Sequence, residues 1–338
     1  MRVRLKDIAQ DLGVSVVTVS KVLHNHADIG EETRQRVLKR VRELNYQPSY
    51  AARALVTGRT YTVALVVPDL VHPFFSEVAK SLAAALRPKG YSLLISSSDE
   101  DGELESREIE SLMARELDAI VIAATQANST IFRCLEAQGT PLVMIDREVK
   151  GVAASFVGID DRAAGELATG HLASIGCTRI AHIRGPEVST AAGRLAGYKR
   201  ALTRRGHAFR KGYVPGVSGG DANSDARGGE AMRQLLRLHP RPDGVFCYND
   251  PTALGAMNAI LDAGLRVPED IAVIGCGNVH YGPFLRVSLS SIDQRSADIA
   301  AAAAELVLEM IEEKQRQPPQ RITLEPRLIV RASTSRPS

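Results

Sequence analysis

Carboxylates, an arginine and a pair of aromatic rings recur just behind short β-rich runs of this chain. After Thr62–Val67 come Asp69 and Phe74-Phe75, and after Leu142–Ile145 come Asp146 and Arg147. After Arg179–Ile183 comes the run GPEVSTAAGR with Thr190 and Arg194, and after Gly244–Cys247 come Asn249 and Asp250. Carboxylates and guanidinium groups form paired hydrogen bonds with polyhydroxyl compounds, and an aromatic face stacks on a sugar ring or a purine. The set is that of a binding site for a small polar molecule. Two members fit a second role equally well: Asp250 as the cap of a helix opening at Pro251, and Phe75 as core. Arg194 is sharper, because a lone arginine at a helix start beside a strand seeks an anion or hydroxyls.

Catalytic patterns are missing. The chain contains no GxxxxGK[ST], HExxH or GxSxG. Gly275-Cys276-Gly277 follows a strand-like run, but His280 stands where a dinucleotide fingerprint needs its third glycine. Asp160-Asp161 reads as the cap of a helix starting at Arg162 rather than as paired acids, since sequence neighbours point apart. Cys134, Cys177, Cys247 and Cys276 are too far apart for a zinc site or a CxxC pair, so buried free thiols are expected. Neither enzyme activity nor a cofactor or metal is expected.

The elements that must position these groups alternate. β-rich runs at Thr62–Val67, Leu93–Ser96, Ala119–Ala123, Leu142–Ile145, Arg179–Ile183, Gly244–Cys247 and Ala272–Gly275 are separated by helical patterns. Those helices include Phe75–Leu86, Glu103–Arg115, Arg162–Ser174, Gly193–Arg205, Pro251–Ala263 and Arg295–Glu313. Apolar strands alternating with helices predict parallel sheets covered on both faces. The set is too large for one sheet, so two doubly wound subdomains with a cleft between them are predicted. Ligands of such sheets bind beyond the carboxyl ends of the strands, where the polar groups above fall.

Length and charge agree with a multidomain chain. The 338 residues exceed one ordinary core, and 44% hydrophobic with 24% charged residues is usual for a soluble protein. No apolar run is long enough to span a membrane and no signal-peptide core follows MRVRLKDIAQ, so a cytoplasmic location is expected. Residues 1–60 carry 11 Lys and Arg against 6 Asp and Glu, and the remainder 31 against 33, so a +5 head precedes a −2 body. A small basic module on a near-neutral body suits phosphate binding.

That head opens with KDIAQDLGVSVVTVSKVL, residues 6–23. Ile8, Leu12, Val19, Val22 and Leu23 are apolar at helical spacing, Gly13 suits a left-handed turn, and Ser15 can cap a second helix. The order Ala9, Gly13, Val19 is that of a helix-turn-helix, whose second helix lies in the major groove. Val16 and Val17 would then offer apolar contacts to base edges, and Lys21 is the polar reader. Thr18 and Ser20 would touch phosphates or cap the helix. Asp28 with Glu31 fits a capping box for a third helix, Glu31–Leu44.

Leu5 to Asn25, with VSVVTVSKVLHN, resembles the start of the lactose-repressor/galactose-repressor family of bacterial transcription regulators, and the resemblance runs through nearly the whole chain. It implies a helix-turn-helix domain over 1–47, a hinge over 48–60 and an effector-binding, dimerising body over 61–338 with a periplasmic-binding-protein-like fold. In the body it implies an N-subdomain of about 61–159 plus 293–320 and a C-subdomain of about 162–290 plus 323–332. The chain would cross between them near Gly158–Arg162, Ser291–Gln294 and Gln320–Leu324. The resemblance also implies base contacts from the two residues after Ser15 and from Lys21. In Ala52-Arg53-Ala54-Leu55 it places Leu55 as a minor-groove wedge, with Arg53 beside it on the DNA.

Its effector positions correspond here to Asp69, Phe74, Asp146, Arg194 and Asn249, with Asp250 beside them and Phe75 and Thr190 in support. One position departs. The family's effector-binding aspartate corresponds to Gly277, in Gly275-Cys276-Gly277-Asn278. A bulkier or more anionic effector, use of Asn278, or control by a protein partner through a vestigial cleft all follow from that loss. A homodimeric repressor on a palindromic double-stranded operator, governed by a carbohydrate-like molecule, is the expected function; a solute-binding protein is the minor rival.

Overall fold

The computed structural model describes residues 3–23, 26, 28–46, 54, 57–125, 130–216, 223–313 and 318–335. They fall into two compact units, Met1–Thr60 and Tyr61–Ser338.

The first unit holds three helices, α1 (Leu5–Leu12), α2 (Val16–Leu23) and α3 (Glu31–Glu43). Ile8, Ala9, Val19, Val22 and Val37 form its small core. Gly13 ends α1 at φ +63°, a conformation that costs a Cβ-bearing residue more than glycine. The Ser15 hydroxyl accepts the Thr18 N–H at 3.0 Å and so caps α2. The capping box at Asp28 does not form. The residue before α3 is Gly30, with no side-chain cap, and the Asp28 carboxylate pairs with the Lys21 ammonium instead. Of the hinge, Ala54 and residues 57–60 are described; Arg53 and Leu55 lie outside the described residues.

The second unit contains two sheets. The first has strands β1 (Thr62–Val67), β2 (Ser92–Ser97), β3 (Ala119–Ile122), β4 (Leu142–Ile145), β5 (Ser155–Ile159) and β10 (Arg321–Leu324). Their order is β10-β5-β4-β3-β1-β2, all parallel. Every second residue of β1 faces the same way. Val63, Leu65 and Val67 pack under α4 (Pro73–Leu86) and α11 (Ser296–Glu312). Ala64 and Val66 pack under α5 (Gly102–Met113) and α6 (Thr130–Gln138). A strand buried on both faces explains the unbroken apolar run TVALVV.

The second sheet has β6 (Ile180–Ile183), β7 (Gly244–Cys247), β8 (Ala272–Cys276), β9 (Ser290–Asp293) and β11 (Arg327–Ile329), in the order β11-β9-β8-β7-β6. Only the edge pair β11–β9 is antiparallel. Helices α7 (Asp161–Ser174) and α8 (Ser189–Arg204) cover one face, and α9 (Ser224–Leu236) and α10 (Asp250–Asp262) the other.

The chain passes between the sheets at Asp160, at Gln294-Arg295 and at Glu325-Pro326. The third passage lies beyond the expected Gln320–Leu324, because those residues pair in parallel with β5 and so belong to the first sheet. Helix α8 begins at Ser189, four residues ahead of the expected Gly193, which puts Thr190 and Arg194 in its first two turns.

Candidate functional site

On the head, α2 leaves the apolar side chains of Val16 44% and Val17 63% exposed. Lys21 stands one turn further on, its ammonium held by Asp28. The hydroxyls of Ser15 and Thr18 bond each other at 2.9 Å, so both serve the cap, and Ser20 is half-buried.

In the body, the carboxyl ends of both sheets face one crevice, and of the predicted polar groups it gathers Asp146, Thr190, Arg194 and Asn249. Its framework is the close crossing of α7 and α8. A Cβ on Gly197 would lie 2.1 Å from the carbonyl oxygen of Arg162, and one on Gly165 would lie 2.2 Å from that of Arg194. Only glycine permits that approach. It brings Arg194 alongside Asp161, and Nε donates to Oδ1 at 2.9 Å. Nη1 of Arg194 donates to the Tyr248 carbonyl at 2.7 Å, and the guanidinium lies 4.8 Å from the centre of the Tyr248 ring. The Thr190 hydroxyl meets the Tyr248 hydroxyl at 2.8 Å.

From the first sheet come Asp146, at φ +57° on the end of β4, and His72 in the loop after β1. Gln294, at the second passage, donates from Nε2 to Asp146 Oδ1 at 3.1 Å. Asn249 caps α10 by accepting the Thr252 N–H at 2.9 Å, and its amide nitrogen meets His72 Nε2 at 3.1 Å across the crevice. A second link crosses it where the Glu148 N–H donates to the Ser189 hydroxyl at 2.9 Å. Asp146, Asp161, Ser189 and Gly193 border a cavity of about 480 Å³.

Burial shapes the electrostatics. It pushes the Asp161 carboxyl up to about 7 against the opposing pull of Arg194. It lifts Asp250 to about 6, against hydrogen bonds from Ser291 Oγ at 2.6 Å and the Val279 N–H at 2.8 Å. Burial pushes the Cys276 thiol up to about 12, with Arg194 pulling against it and Asp161, Asp250 and Asp146 adding to it.

The remaining predicted residues are placed differently. Arg147 is fully buried and forked onto Glu100 through bonds of 2.8 and 3.1 Å. Phe74 and Phe75 are buried in the core of the first sheet. Asp69 is half-buried and closes its own loop by accepting the Val71 N–H at 2.8 Å. The cap of α10 falls to Asn249 rather than Asp250. Asn278 turns its amide oxygen to Arg331 Nη2 at 2.6 Å.

The model of the lacI family of bacterial regulatory proteins matches residues 4–49, and that of the periplasmic binding protein-like domain matches residues 169–334. The ribose operon repressor of Escherichia coli (strain K12) is 33% identical over 97% of this chain and 99% of that protein. The chain belongs to the lacI family. The HTH-type transcriptional repressor PurR of Haemophilus influenzae (strain PittEE) is 32% identical over 97% of the chain and 98% of the relative. Among solved structures, a transcriptional regulator CelR–cellobiose complex matches with a TM-score of 0.74 and 30% identity, covering 98% of this chain and all of the other.

Within this lacI-family chain the crevice also contains residues that sequence reasoning passed over. Asp161 looked like half of a capping pair, and Asp160 does take the cap, bonded by the Ala163 N–H at 2.9 Å. Tyr248, Gln294 and His72 stand in no motif. Their one signal is position, at or just beyond the carboxyl ends of β7, β9 and β1.

Proposed function

We propose that this lacI-family chain is a homodimeric, sequence-specific transcriptional repressor rather than an enzyme. It acts in the cytoplasm, and its affinity for a palindromic operator is set by a small carbohydrate-like molecule held in the body's crevice. The observation that carries the reading is a polar cluster shared by two sheets, buried Arg194, Asp146, Gln294, His72 and Asn249 with half-buried Asp161, in a chain that also holds a helix-turn-helix with exposed Val16 and Val17. Ser15 starts the recognition helix, Val16 and Val17 meet thymine methyls, Lys21 reads a base, and Thr18 and Ser20 stand at the backbone. One helix-turn-helix reads a half-site, so two copies serve a palindrome. Leu55 enters the minor groove in this reading, with Arg53 on the DNA beside it. Among the described residues no helix is long and apolar enough to cross a membrane.

A ligand that favours one arrangement of the two lobes shifts their population, and with it the DNA affinity. Arg194, Asp146, Asn249 and Thr190 line its site; Phe75 and Arg147 support it from behind; Asp69, Phe74, Asp250 and Asn278 hold the surrounding loops. Selection of binding sites from random duplex DNA tests the first half of the reading: recovery of a palindrome is the expected result, and an unselective pool contradicts it. A second reading, a crevice without a small molecule and control by a protein partner, rests on Gly277. Its distinguishing result is operator binding that no small molecule changes.

A further inference from the structure

The near-neutral body divides its charge unevenly between its lobes. Residues 161–293 and 325–338 carry 19 Lys and Arg against 13 Asp and Glu, whereas 61–160 and 294–324 carry 12 against 20. Much of the basic excess comes from one stretch. From Val188 to Gly220 the chain holds seven Lys and Arg and no acidic residue. Six of them, from Lys199 to Lys211, lie exposed on the last turns of α8 and on the strap that follows it, residues 205–211. Arg200 and Arg204 share one carboxylate, that of Glu166, at 3.1 and 2.8 Å. Lys199, Arg205, Arg210 and Lys211 form no ion pair among the described residues.

Helix stability does not account for this face. Arg204 complements the carboxyl end of α8, but Lys199 stands ahead of the last turn, and Arg210 and Lys211 lie beyond the helix. Like charges without counter-charges repel one another, and a polyanion would relieve them. Amid these cations Phe209 is 47% exposed. Lys199 Nζ lies 4.9 Å from the centre of its ring, and the Tyr198 ring meets it edge-on at 6.4 Å. The Arg210 guanidinium lies 5.4 Å from the centre of the Tyr213 ring. The Tyr213 hydroxyl donates to the Pro240 carbonyl at 2.7 Å, which ties the strap to the loop that holds exposed Arg237 and Arg241. An exposed ring among cations suits an unpaired strand, whose phosphates meet the charges while a base stacks on the ring. An acidic peptide supplies the charge without the face, and a duplex turns its base faces inward.

We infer that this face of the second lobe binds single-stranded nucleic acid, with Lys199, Arg205, Arg210 and Lys211 on phosphates and Phe209 against a base. It uses none of the residues proposed to hold the effector or the operator. Fluorescence anisotropy of the full chain with labelled oligothymidine and oligouridine of about 20 nucleotides, at rising salt, tests it. The expected result is binding that weakens with salt, with a log–log slope of about −0.7 per neutralised phosphate. Lys199→Glu/Arg205→Glu/Lys211→Glu should lose at least about tenfold in affinity and flatten the slope by about 2. Phe209→Ala should lose about tenfold with the slope unchanged, the worth of one stacked base. Lys199→Gln/Lys211→Gln serves if the charge reversal does not fold. Binding of either strand type supports the inference, and the tighter one names the source, RNA or an opened DNA strand. No binding of either, or wild-type affinity in the reversal variant, overturns it. Unchanged affinity in Phe209→Ala overturns it too, and displacement of the strand by polyglutamate at equal charge overturns it in favour of an acidic protein. Each of these results leaves the selection of a duplex operator by the head as it was, so the repressor reading stands or falls separately.

Discussion

The Nε of Arg194 donates to Oδ1 of Asp161 at 2.9 Å, an ion pair between two helices that only their glycines allow so close together. The pair fixes the guanidinium in the crevice. Breaking it leaves the half-buried Asp161 carboxyl without its counter-charge and empties the space of a fully buried side chain. Arg194→Ala should destabilise the body by roughly 3–5 kcal/mol, read as a lowered midpoint in urea unfolding, and should abolish sugar binding.

The same geometry predicts sensitivity at α7–α8. In Gly197→Ala the new methyl would overlap a backbone carbonyl, which cannot rotate away as a side chain could. The helices must part, at a cost of about 1–3 kcal/mol. Calorimetric melting should show a lowered Tm, and ligand titration a weakened affinity, since Arg194 moves with α8. Gly206→Ala, at an exposed turn with open space around it, is the control: only backbone strain acts there, and ligand affinity should stay as in the wild type.

Burial raises Asp161 to about 7 and Asp250 to about 6, above the ordinary aspartate value of 3.8. Between about pH 4 and 7 the folded state therefore binds more protons than the unfolded one, and stability falls as pH rises through that window. Above pH 7 both states are ionised and the slope from these groups vanishes. Melting temperatures across pH 4 to 8 should show that decline, and Asp250→Asn should remove the part below about pH 6. An unaltered profile in the variant would show that Asp250 is not its source.

On the head, Lys21→Ala should weaken operator binding by about 1–3 kcal/mol and relax the choice at one base pair. Comparison of operator with random duplex by anisotropy checks it. An equal loss on both would place Lys21 on a phosphate. Ser15→Ala removes the cap of α2 and should cost the head about 1 kcal/mol without changing base preference.

How much of this was legible in the sequence follows from how local each signal is. Gly13, Ser15 and Val19 work within one helix-turn-helix, and the structure shows the turn, the cap and the burial that their spacing predicts. The apolar strands β1 to β4 and β6 to β8 were legible for the same reason, whereas β5 and β10 were not among the predicted runs. Strand β9 was not, because its Ser290 and Ser291 are fully buried yet polar, satisfied by bonds to Thr334 and Asp250 that lie far along the chain. Helix α9, which the named helical patterns leave out, carries Gly228 and Gly229 in its interior. A Cβ on Gly228 would lie 2.2 Å from the Thr252 carbonyl, so that glycine serves close packing on α10. In the crevice, residue type and position after a strand pointed to Arg194, Asp146 and Asn249. Their partners Asp161, Gln294 and His72 arrive from 33, 148 and 177 residues away, and no local pattern encodes such pairings.

The most direct test of the account is the affinity of the full chain for its selected operator with and without the sugar that titration identifies, in the wild type and in Arg194→Ala. The account predicts a change of about 5- to 150-fold on adding that sugar, and none in the variant. An operator affinity that the bound sugar leaves unchanged, or alters equally in both proteins, would contradict it.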